Sequence, residues 1–190
     1  MILGVTLQRF IDGAFLAPGT KDQAGSEAMN LIVKYDKQGN FDEAIKVGQD
    51  WTSKHPEDPL YNQIALCHLA KAAKDGAHKD EWIRQGVACY GKDLETYKKG
   101  KVDFELYAAG RGFEYAGDLS SSCKCLYYDR ALKAFDEEFP YIQGDRYTAD
   151  GASIPLAPVR HENQKALDRV KSKIEKTGCG QAPPALGFSK

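Results

Sequence analysis

The sequence predicts an all-α chain of antiparallel helical hairpins, and three observations carry that expectation. Apolar residues recur at helical spacing from Ser26 to Glu138. No stretch alternates in the manner of a half-buried strand. Turn signals punctuate the pattern at Gly39-Asn40, Pro56 to Pro59, Asp75-Gly76, Gly100, Gly117-Asp118 and Pro140. A chain of 190 residues is long enough to bury one substantial core without metals or disulfides.

Taken in order, residues 1–21 read as an arm or a short packing helix carrying Val5, Leu7, Phe10, Ile11 and Phe15. Their early polar residues Gln8, Arg9 and Asp12 fit neither a signal peptide nor a membrane span. Helices are expected near 22–38, 41–54, 60–74, 79–99, 102–117 and 121–139, which pair most simply as three hairpins. After Pro140 the helical period stops, so 141–158 reads as a loop with Gly144, Gly151, Pro155 and Pro158. A last helix over 159–177 follows, with Ala166, Leu167, Val170 and Ile174 as its apolar stripe and Gly178 as its stop. The remainder, 179–190, reads as a flexible tail.

The segment from Tyr35 to Ile45 closely resembles the turn and second-helix start of a tetratricopeptide repeat, a 34-residue helix-turn-helix unit. The family pattern falls on Leu31, Tyr35, Gly39, Phe41, Ala44 and Pro56, while Gly48 and Trp51 invert the usual large and small residues. Weaker copies follow through Tyr61, Ile64, Ala65 and His68, then Leu106, Ala109, Gly110 and Phe113, giving repeats at about 26–58, 59–100 and 103–140. The resemblance implies a short right-handed superhelix with the last helix capping its open end. The predicted core is Leu31, Ile32, Tyr35, Phe41, Ala44, Ile45, Trp51, Tyr61, Ile64, Ala65, Trp82, Leu106, Ala109, Phe113, Leu126, Ala131 and Phe135.

Catalytic and metal signatures are sparse. Gly110-Arg111-Gly112 lies inside a helical pattern without the strand or Lys-Ser/Thr of a phosphate cradle, and reads as close helix packing. His55, His68, His78 and His161 lack paired-ligand spacing, and Cys123 and Cys125, two apart on a helix, point away from one ion. Cys67 and Cys89 sit equidistant from the middle of the second hairpin's turn, so a bridge between them is one possibility. Ser120 to Ser122 read as helix N-caps. No nucleophile, base and orienting group stand together, so the expectation is a chain that is not an enzyme and carries no cofactor or metal.

A net charge of −1, with 26 Lys+Arg against 27 Asp+Glu, gives no basic surface for nucleic acid, and no membrane insertion is expected. Five cysteines, an odd number at ordinary density, favour a reducing, cytoplasmic setting, with a periplasmic or secreted one as the alternative if a leader has been removed. What the repeat resemblance implies is a protein or peptide partner held in the groove lined by the first helix of each repeat. Mapped onto this chain, the groove positions are Met29, Val33 and Lys37, then Asn62 and Leu66, then Tyr107, Arg111 and Tyr115. Apolar Met29 and Val33 stand where a subset of the family uses polar side chains to clamp a terminal carboxylate, so that specific role is not expected. Self-association through the array's ends, and an enzyme or small-ligand carrier with 141–158 as a lid, are the competing readings.

Overall fold

The computed structural model describes residues 23–96, 104–149 and 152–179. Within them seven helices follow one another: α1 (Gln23–Gln38), α2 (Phe41–Lys54), α3 (Tyr61–Lys74), α4 (Lys79–Thr96), α5 (Phe104–Leu119), α6 (Lys124–Glu138) and α7 (Leu156–Thr177). The all-α class holds. Between α6 and α7 lie a 3₁₀ turn, Phe139–Ile142, and a small antiparallel hairpin of β1 (Arg146–Ala149) and β2 (Ala152–Pro155). The expected N-terminal packing helix, the segment joining α4 to α5 and the tail beyond Cys179 lie outside the described residues.

The helix boundaries have local causes. Gly39 takes φ +78°, which lets the Asn40 amide reach the Tyr35 carbonyl and the Gly39 amide reach Asp36, closing α1 with a left-handed cap. At the end of α2 the Trp51 indole donates to the Asp58 carbonyl at 2.9 Å, and its ring stacks on His55 at 3.7 Å. The swapped volumes read in the sequence pack accordingly. Ile64 and Ile32 crowd over Gly48, while Trp51 is buried one turn away.

Paired residues give the helix directions. Gly110 receives the ring of Phe135 and Gly117 that of Tyr128, so numbers fall on α6 as they rise on α5 and the two run antiparallel. On the other side, Glu114 pairs with Arg169 and Asp118 with Lys173. Numbers there rise together, so α7 runs parallel to α5. Each helix packs on its successor up to α6, and α1 also touches α3, α3 touches α5 and α5 touches α7. The main core joins α3 to α7 around Leu69, Tyr90, Phe113, Phe135 and Val170, and a second cluster joins α1, α2 and α3 around Ile32, Trp51 and Ile64.

Several expectations are corrected. The loop expected over 141–158 is instead the 3₁₀ turn, the hairpin and the first turn of α7, which starts at Leu156. Ile142, Leu156 and Val159 form a small core of their own there, with Phe139 and Tyr147 packed on it. Two predicted core residues are exposed, Leu31 at 42% and Leu126 at 50%. Successive helical residues point about 100° apart, and neighbouring Ile32 and Tyr127 take the inward direction in each case. Tyr35, Tyr61 and Trp82 are half-buried rather than enclosed, although all three pack on the core clusters.

His68 on α3 is 5% exposed, its ring lies 5.8 Å from that of Trp82, and its Nδ1 has no hydrogen-bond partner. Burial, reinforced by the nearby Lys71 cation, pushes its pKa down to about 4. In the unfolded chain His68 titrates near its ordinary value, so between roughly pH 6.5 and 4 the unfolded state binds more protons and stability falls as pH falls. The expected slope from this group is about 1.4 kcal/mol per pH unit inside that window and zero above it. Urea melts at pH 7 and pH 4.5 check this, with His68→Phe expected to lose that part of the acid sensitivity while keeping the stack on Trp82.

Candidate functional site

The groove positions read from the sequence fall on three helices that lie side by side, α1, α3 and α5. Met29 and Val33 on α1 are half-buried and Lys37 is exposed. Asn62 and Leu66 on α3 are half-buried, and the Asn62 Oδ1 is enclosed without a hydrogen-bond partner. Tyr107, Arg111 and Tyr115 on α5 are each half-buried and follow one another at four-residue spacing.

This α5 face is the most structured part of the set. The Tyr107 ring lies 5.6 Å from Phe135, and burial raises its pKa against the lowering pull of Arg111 and Arg169. The Tyr115 hydroxyl is enclosed with no hydrogen-bond partner, and burial together with the Asp118 charge pushes its pKa up to about 12. Both phenols therefore stay neutral at any physiological pH.

Beneath this face sits a network that the sequence reading missed. Glu114 is only 5% exposed in its side chain, and Arg169 of α7 holds it in a two-pronged pair, Nε to Oε1 at 2.6 Å and Nη2 to Oε2 at 2.7 Å. Lys173 lies 2.7 Å from the same carboxylate and donates to both oxygens of Asp118, which also accepts the Tyr128 hydroxyl at 2.8 Å. Burial alone would raise the Glu114 pKa, but the hydrogen bonds from Arg169 and Lys173 outweigh it and hold the carboxyl below its usual range. Arg111 stands 3.6 Å from Glu114, beyond hydrogen-bonding distance, with 28% of its side chain exposed.

Three cations, Arg111, Arg169 and Lys173, converge on two carboxylates, of which Glu114 is buried. Glu162 stands close enough to interact with Arg169 and Tyr107, but it is itself paired with Lys165 at 2.8 Å. Glu114 thus fixes the Arg169 guanidinium of α7, while that of Arg111 on α5 stands 3.6 Å from the same carboxylate, and both cations act on Tyr107. A signal for this was present in the sequence. Glu114 and Asp118 are spaced by four on α5, as Arg169 and Lys173 are on α7, which is what two facing helices need to pair twice.

The cysteines also differ from expectation. Cys125 and Cys179 are bonded to each other, while Cys67, Cys89 and Cys123 are free. The bridge considered between Cys67 and Cys89 is absent because the α3–α4 hairpin is not centred on position 78. With α3 ending at Lys74 and α4 starting at Lys79, and Gly86 packed against Ala65 and Leu69, Cys67 lies level with residues near Gly86, roughly one helical turn before Cys89. The odd number of cysteines therefore conceals a bonded pair, and Cys179 belongs to the folded part rather than to the tail. No group of three or more metal-ligating side chains occurs among the described residues. Nor is any helix there long and apolar enough to cross a membrane. In comparisons with known proteins, no family model, no curated protein and no solved structure matches this chain.

Proposed function

We propose that this chain is a non-catalytic peptide- or protein-binding module, a helical array of tetratricopeptide type whose first helices α1, α3 and α5 line the binding face. The observation that carries the reading is that the guanidiniums of Arg111 and Arg169 approach the same buried Glu114 carboxylate from α5 and α7, at 3.6 Å and 2.6 Å, and both act on Tyr107. Arginine and tyrosine dominate binding energy at protein interfaces, and a fixed guanidinium loses little entropy when it takes up a carboxylate. The apolar and amide groups of Met29, Val33, Asn62 and Leu66 on the neighbouring helices supply contacts for the rest of an extended segment or a helix. Such a face fits a partner segment with hydrophobic anchors and at least one acidic side chain.

Selection from a displayed random-peptide library tests the proposal. The wild-type chain is expected to enrich peptides that combine aliphatic or aromatic residues with Asp or Glu. Arg111→Glu, with its helicity unchanged by circular dichroism, is expected to weaken the selected peptides by at least about tenfold, or roughly 1.4 kcal/mol. Enrichment of the same peptides by both chains would contradict the proposal.

A further inference from the structure

The bond between Cys125 and Cys179 joins the first turn of α6 to the residue just past the end of α7, across 54 residues of sequence. What else holds that end of α7 is modest. Val170 is the last fully buried apolar residue of the helix, Ile174 is only half-buried, and Glu175 to Thr177 are exposed. Lys173 is tied to Asp118 and Glu114, and beyond it the described side chains of the last turn bond only within α7 and to Cys179. The terminus is closed by Gly178 at φ +72°, whose amide reaches Glu175 while the Cys179 amide reaches Ile174. Of the two bonded residues Cys125 is the exposed one, whereas Cys179 is half-buried.

We infer that the Cys125–Cys179 bond is a reducible clasp that sets the order of the last turn of α7, so that this end of the helix responds to thiol redox state while the rest of the fold does not. The chemistry needs a thiol reductant of the dithiol class. Its thiolate attacks the Sγ of the exposed Cys125, the sulphur–sulphur bond breaks, and Cys179 leaves as a thiolate that takes up a proton. The second thiol of the reductant then displaces Cys125 from the mixed disulfide. Two electrons and two protons have passed to the protein, and the reductant leaves as its own disulfide. With the clasp open, Ile174 to Cys179 are left with the partial packing of Ile174 and Cys179 on the main core and the Gly178 cap against the conformational entropy of a free terminus. The register upstream is kept by Leu167, Val170 and the Arg169–Glu114 pair.

Alkylation and backbone NMR relaxation of the full chain test this together. With the alkylation run in denaturant, so that buried Cys67 and half-buried Cys89 also react, three thiols are expected to take up iodoacetamide before reduction and all five after it, matching the free and bonded cysteines. On adding dithiothreitol, the backbone order parameters of residues 174–179 are expected to fall from near about 0.85 to below about 0.6, with those of residues 160–170 unchanged. Cys179→Ser is expected to show the same loosening without reductant, and Cys123→Ser to behave as the wild type does. Five reactive thiols in the air-oxidised protein would overturn the inference. So would unchanged order at 174–179 after reduction, and so would loss of chemical-shift dispersion across the whole chain, which would make the bond a staple for the entire fold.

Discussion

Replacing Gly112 with valine is expected to destabilise the protein by about 3 kcal/mol or more, the upper range for overpacking an enclosed site. Helix α5 is wedged between α4 and α6, and its glycines make that possible: the Tyr90 ring of α4 seats directly on Gly112, while Phe135 of α6 lies over Gly110 at 2.6 Å from where a Cβ would stand. Tyr90 is fully buried, so its ring has no free space to retreat into. Even alanine at position 112 would put a carbon inside the space of that ring, at a cost larger than the gain of about 1 kcal/mol in helix propensity. Gly91 on α4 is the matched control, because a Cβ there meets nothing within 4 Å. Gly91→Ala is expected to be neutral or stabilising by up to about 1 kcal/mol. Urea denaturation of the three variants checks the pair, and a wild-type midpoint for Gly112→Val would refute the close approach of α4 and α5.

Removal of the Glu114 carboxylate carries the second large effect. Glu114→Ala is expected to cost about 3 kcal/mol, at the low end for breaking a buried ion pair, because Arg169 and Lys173 keep enough exposure to regain water. The pH dependence gives a separate signature. The Glu114 carboxyl is held below its ordinary range in the folded state, so at mildly acidic pH the unfolded chain binds the extra proton. Its contribution is fully present above the unfolded-state value near pH 4.3 and is lost as pH falls through the lower folded value. The stability gap between the wild type and Glu114→Gln should therefore stay constant from pH 7 to about pH 5 and shrink below about pH 4. A gap that widens on acidification would contradict the assigned direction.

The fold was legible in the sequence where punctuation and period agree. Phe41–Lys54 was read to the residue, because Gly39-Asn40 and His55-Pro56 mark both of its ends with backbone chemistry that leaves little choice. Gly110 and Gly112 were readable as packing glycines because their helical surroundings exclude a phosphate loop. The hairpin between α6 and α7 was not legible. Strands of four residues are too short for alternation to register against Gly144, Gly151 and two prolines.

The site was half legible. Arg111 and its two tyrosines share one helical face by spacing alone, but Glu114 and Asp118 beneath them take their partners Arg169 and Lys173 from a helix 55 residues further on. Which face α7 offers to α5 depends on the length of the hairpin before it, a tertiary matter that periodicity does not encode. The Cys125–Cys179 pair is similar. It follows once α6 and α7 are known to be antiparallel, which places the end of α7 beside the start of α6. From the sequence alone Cys67 and Cys89 seemed level across a turn whose true centre is displaced.

In the proposed function, Arg111 and Arg169 together receive an acidic side chain of a partner. A charge-exchange titration by isothermal calorimetry tests it most directly, using the best peptide from the library selection and its counterpart with the acidic residue changed to lysine. The wild type is expected to bind only the acidic peptide, and Arg111→Glu to lose it by at least about tenfold while gaining affinity for the lysine peptide relative to the wild type. Equal affinities of both proteins for both peptides would contradict it.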